Sequence, residues 1–119
     1  MESILNTIKK LIGYDEAVTQ FDQDMILFIN SVIATLREIG IGPSEGFVVA
    51  DASTTWSDYL GDSKLLEQVK MYIYLKTRLV FDPPNTSFVL ESIKEMIKEC
   101  EWRLNDVAER RQEEIQNGV

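Results

Sequence analysis

The chain has 119 residues, 45% of them apolar, which is one domain's worth of polypeptide. Twenty acids against 12 bases give a net charge of -8, and there is no histidine and one cysteine, Cys100. This charge balance argues against a basic groove that tracks nucleic-acid phosphates and against docking on an anionic membrane. The composition excludes a zinc site built within one chain, histidine-dependent nucleophilic catalysis and an intrachain disulfide. The opening MESILNTIKKLIGYDE lacks a basic stretch followed by an apolar one, so it does not read as a signal peptide. No apolar run approaches the ~20 residues that span a bilayer, and a soluble chain with no membrane partner is expected.

The first predicted helix covers residues 3–12. Ile4, Leu5, Ile8, Leu11 and Ile12 share a face, Ser3 caps the start, and Gly13 follows the end. Lys9 and Lys10 fall in the last turn, where the helix dipole favours cations. The second helix is expected over 20–39, with Thr19 and Asp22 as a capping box. Met25, Ile29, Val32, Leu36 and Ile39 form its stripe, widened by Ile26, Phe28, Ile33 and Ala34, so it is contacted on more than one side. Gly40 stops it, and Pro43 prevents its resumption.

Residues 41–62 hold most of the remaining glycines and read as an extended arm. Phe47 to Ala50 suits one short strand, and Thr55 with Asp58 caps a single helical turn through Leu60. The arm carries Phe47, Trp56 and Tyr59, which a flexible linker would avoid. The third helix is predicted over 63–81, with Leu65, Leu66, Val69, Tyr72, Ile73, Lys76, Leu79 and Val80 on its stripe, ended by Asp82-Pro83-Pro84. The fourth is predicted over 87–112, with Leu90, Ile93, Ile97, Cys100, Leu104 and Val107 as its seam. Glu99 with Arg103 and Asp106 with Arg110 make favourable i,i+4 pairs. The expected fold is all-α: one domain over 1–112, four helices plus the arm, then a frayed tail over 113–119. Charge is uneven, with 3 bases and 9 acids in residues 1–60 against 9 bases and 11 acids in 61–119.

Four constellations suggest chemistry, and each has a plainer explanation. Gly40, Gly42 and Gly46 follow a helix rather than a strand and lack a Gly-Lys-Ser/Thr, so a turn explains them better than a phosphate loop. Asp51, Ser53, Thr55 and Asp62 match part of a calcium loop. Trp56 stands where glycine is needed, and Asp62 where a longer Glu is needed. Glu91, Glu95 and Glu99 stack on one helix face and could hold Mg²⁺ as all-α nucleotide pyrophosphatases do. Only Glu67 faces them from the third helix, and Lys94 and Lys98 sit beside them, so a solvated charged face is the better reading. The Leu90–Val107 seam is under three heptads and suits packing inside the domain better than an intermolecular coiled coil. No catalytic, cofactor or metal residues are predicted. The aromatics are a surplus: Tyr72 and Tyr74 lie about 200° apart around their helix, and Trp102 lies off the seam. Phe47, Trp56, Tyr59, Tyr74, Phe81, Trp102 and Arg103 are therefore the candidate interface with a second copy or a partner protein.

The blocks GPSEGF (Gly42–Phe47), WSDYLGD (Trp56–Asp62) and YLKTRLVFDPP (Tyr74–Pro84) come in an order that resembles the head-tail connector (adaptor, or head-completion) proteins of long-tailed bacteriophages and prophages of Gram-positive bacteria. The likeness covers roughly residues 2–108, and none of its blocks is a catalytic signature. It implies a structural virion protein made in the host cytoplasm, without a cofactor or enzymatic activity. Such a protein docks on the portal after DNA packaging as a ring of about twelve copies, a closed cyclic oligomer. The ring extends the channel through which DNA passes without specific binding, and it offers a surface to a tail-side stopper. The C-terminal helix is expected to approach the portal. The competing readings are a small acidic helical protein that binds a host factor by mimicking DNA, and the Mg²⁺-dependent pyrophosphatase.

Overall fold

The computed structural model describes residues 2–116, and the first helix, α1 (Ile4–Ile12), sits where its apolar spacing places it. Ser3 accepts a hydrogen bond from the Asn6 N–H at 3.1 Å, and Gly13 closes the helix in the left-handed region at φ 104°. One position departs from the expected stripe: Leu11 is exposed, and Lys9 is buried in its stead. The Lys9 ammonium lies 2.9 Å from the Asp22 carboxylate and donates to the carbonyls of Glu16 at 3.1 Å and Val18 at 2.6 Å. All three of its protons can thus find acceptors, which is what makes a buried cation tolerable.

The same contact moves the start of α2 (Asp22–Glu38). The capping box expected from Thr19 and Asp22 does not form, and Phe21 at the N-cap makes no side-chain cap. Asp22 instead pairs with Lys9, because a buried ammonium is a stronger partner for a carboxylate than a backbone amide. At the other end Gly40 N–H reaches Arg37 O at 3.0 Å and Ile41 N–H reaches Leu36 O at 2.9 Å. This is a Schellman closure, with Gly40 at φ 97° in the position that only glycine occupies cheaply.

The arm lies back on its own chain. Phe47 to Ala50 runs extended, but no strand forms among the described residues. The Asn30 side chain takes the place of a strand partner, accepting from Val49 N–H at 2.7 Å and donating to Val49 O at 3.1 Å. Further on, Ser3 and Thr55 make an isolated antiparallel bridge. Its bonds run from Ile4 N–H to Thr54 O at 3.0 Å and from Trp56 N–H to Glu2 O at 3.1 Å. The single turn expected after Thr55 is α3 (Trp56–Leu60), with the full Thr55/Asp58 capping box. The described residues therefore hold five helices.

Helix α4 (Leu66–Phe81) is the centre of the fold and touches α1, α2 and α5. Val69, Tyr72, Ile73, Leu75 and Thr77 are buried, an arc of about 200° around the axis. That arc is wider than the predicted stripe, which lacked Leu75 and Thr77 and included the exposed Val80. Contact on three sides explains the difference. Helix α5 (Ser87–Gln116) buries Ile93, Ile97, Leu104 and Ala108 and continues past the boundary expected at 112. The rest of the expected frayed tail, 117–119, lies outside the described residues.

Removal of the Asp22 carboxylate leaves the Lys9 ammonium buried without its counter-charge. Asp22→Ala is expected to cost about 3 kcal/mol, read as a lowered midpoint in urea or thermal denaturation. A loss below about 0.5 kcal/mol, the range of an ordinary surface change, would contradict this account of the pair.

Candidate functional site

The arm's aromatics are where the structure corrects the sequence. Trp56 and Tyr59, predicted to reach a neighbour, are each 3% exposed. The Trp56 indole N–H donates to Thr7 Oγ1 at 3.1 Å, and the Lys70 ammonium sits 5.6 Å from its ring centroid. Phe47 is half-buried and stacks on Tyr59 with centroids 4.9 Å apart and planes at 28°. The cause is the bridge at Ser3 and Thr55, which lays the arm across α1 and brings all three rings onto the chain's own core. Phe81 is half-buried, edge-on to Phe28 at 6.3 Å, and Tyr74 is half-buried with Arg78 beside its hydroxyl at 3.5 Å. Of the predicted interface residues, Trp102, at 68% exposure, and Arg103 remain in solvent. Arg103 is already paired with Glu99 at 2.6 Å.

Tyr59 has a second peculiarity. Its hydroxyl is buried and meets no hydrogen-bond partner. Gly42 stands against the ring at φ 92°, and a Cβ there would come within 3.0 Å of Tyr59 Cε1. Burial pushes the Tyr59 phenol up to about 12. Tyr72 is also raised, first by burial and then by its 2.9 Å hydrogen bond to Glu101.

The polar groups elsewhere pair off rather than converge. Glu91, Glu95 and Glu99 lie on the outward face of α5, each matched to Lys94, Lys98 or Arg103. Glu67 on α4 pairs with Lys70 instead. In the calcium-loop candidate, Asp51 accepts from the N–H and the hydroxyl of Ser53, which holds its carboxyl below the usual range. Thr55 caps α3. Among the described residues no group of three or more His, Cys, Asp or Glu could hold a metal ion, and no helix is long and apolar enough to cross a membrane.

Three residues that matter were not singled out by sequence reasoning as a site: Lys9 as a buried staple, the Tyr59 hydroxyl and Arg111. Lys9 had a usable signal, because it sits one turn from both Leu5 and Ile12 on the inward side of α1. The other two had none, since their neighbours come from the arm and α5 together.

What the fold and surface define is a small all-α domain that buries a helical core and presents isolated aromatic and charged side chains outward. The chain belongs to the phage connector protein family, whose sequence model matches residues 4–111. Membership implies a head-tail connector role as a component of the phage particle, structural rather than catalytic, in association with portal and tail proteins. No curated protein and no solved structure matches the chain.

Two outcomes follow from the Tyr59 geometry. Gly42→Ala is expected to destabilise by about 1–3 kcal/mol in denaturant unfolding, from the unfavourable φ and the tight approach of the new Cβ to the Tyr59 ring. A tyrosine whose pKa is higher folded than unfolded stabilises the fold fully below pH 10, and that stability is lost as pH rises from about 10 towards 12. Titration of phenolate absorbance is therefore expected to show a late-ionising fraction that shrinks in Tyr59→Phe. An unchanged curve in that variant would refute the assignment.

Proposed function

We propose that this chain is a head-tail connector of a long-tailed phage that docks on the portal after packaging and assembles there as a ring of about twelve copies, a closed cyclic oligomer. The ring extends the DNA channel and seats the tail-side stopper. The end of α5 is the part that meets the portal. The observation that carries this reading is the family match together with the shape of that helix. The last buried position of α5 is Ala108, yet the helix continues to Gln116. The stripe that faces the core at Ile97, Leu104 and Ala108 goes on to Ile115, which is 70% exposed because the body has ended beneath it. An apolar helix face that outlasts its own domain is suited to a groove on another protein. Phe88 and Trp102, 81% and 68% exposed on the outward side, are further apolar surface for sister copies or the stopper. The acid-rich first half suits a channel wall, since DNA that must leave quickly should not be gripped by its phosphates.

The test is co-sedimentation with the cognate portal ring. A chain ending at Gln112 is expected to keep its melting temperature, because residues 113–116 are exposed, and to lose portal binding. Ile115→Asp should weaken binding about tenfold or more by putting a charge in an apolar contact. Full-strength binding by both variants would show that the end of α5 is not the docking element, and absence of binding by the intact chain would count against the connector reading itself.

A further inference from the structure

Tyr59 points to a contact that the free subunit leaves unfinished. Tyr59 lines a cleft of about 270 Å³ between the start of the arm and the end of α5, together with Gly42, Pro43, Ser63, Arg111 and apolar neighbours. The hydroxyl is buried without a partner, and the ring stacks on Phe47 and lies close to Gly42. A buried polar group held in that way is costly unless something arrives to bond it.

The rest of the cleft says what that something is. Ser63 Oγ accepts from Leu65 N–H at 3.1 Å, which leaves its own proton free to donate. Arg111 brings a guanidinium. Its helix neighbours Arg103 and Arg110 pair with Glu99 and Asp106, but Arg111 has no acidic partner among the described residues. No Asp or Glu lines the cleft. A site made of donors and one cation, with no acceptor side chain charged against it, is built for an anion. Its size suits a single carboxylate side chain, not a helix or a nucleotide.

We propose that this cleft receives an Asp or Glu side chain from a second copy of the chain, with the Tyr59 hydroxyl, the Ser63 hydroxyl and the Arg111 guanidinium as its donors. Charge complementarity selects that occupant. Acids outnumber bases 20 to 12, so every neighbouring copy presents an excess of carboxylates. Arg can take a carboxylate through two parallel bonds, which fixes orientation as well as affinity. The identity of the partner as a sister copy rests on the connector reading.

Tyr59→Phe separates this role from a merely structural one. Removing an unpartnered hydroxyl while keeping the ring should leave the free chain's melting temperature unchanged or higher. The same variant should need roughly tenfold more protein to fill a portal ring, the loss expected for one hydrogen bond to a charged group. Arg111→Glu should bind the portal only as isolated copies. The readouts are thermal melts of each free chain and the number of copies per portal, measured by sedimentation. If both variants fill the portal at the wild-type concentration, the cleft plays no part in assembly and the proposal is overturned, with the connector reading intact. If the wild-type chain ignores the portal, the connector reading fails, and self-association of the free chain at millimolar concentration decides. Association that both variants lose supports the cleft, and a monomeric wild type or unchanged association overturns it.

Discussion

A cation held out of water decides how the first part of this chain is laid down. Lys9 is 1% exposed, and its charge is balanced by Asp22 and by two loop carbonyls. That arrangement pins the connection between α1 and α2 and holds α1 against the body. Because α1 is fixed, its leading residues can offer backbone groups to the arm at Ser3 and a hydroxyl to the Trp56 indole at Thr7. The arm in turn carries Tyr59 into the core and forms one wall of the cleft below α5. A short-range ion pair thus propagates, through three layers of hydrogen bonds and packing, to a surface feature on the other side of the sequence.

The division of labour in the molecule follows from this. α4 has neighbours on three sides and joins them into one core, while α5 is half support and half projection. The α5 acids Glu91, Glu95 and Glu99 are each paired with a base, and the chain belongs to a structural family. What the surface offers instead is contact chemistry. Isolated aromatic side chains face outward, an apolar stripe runs past the end of the body, and one cleft holds donors without an acceptor. Each is an unfinished interaction of modest size.

Much of the fold was legible in the residues. Helical apolar spacing, Ser3 and Thr55 as caps, Gly13 and Gly40 as stops and the Pro83-Pro84 break all act within a few residues of themselves, so local physics suffices. The candidate interface was legible only in part. Trp102 is outward because it lies off its helix's seam, a fact of periodicity. Trp56 and Tyr59 looked like surplus because no single helix stripe could hold them. Trp56 meets Thr7 of α1 and Lys70 of α4, and Tyr59 meets Phe47 and Gly42 earlier in the arm, and no spacing rule reports contacts of that kind.

The amino-acid sequence by itself determined an all-α domain, its helix ends, its lack of histidine chemistry and a family likeness carried by the blocks at 42–47, 56–62 and 74–84. Only the tertiary structure decided that the arm folds home instead of reaching out, that Lys9 is interior, and that Tyr59 and Arg111 share a cleft. The reason is range: helix periodicity and capping act over three or four residues, whereas burial depends on which distant segment arrives to exclude water.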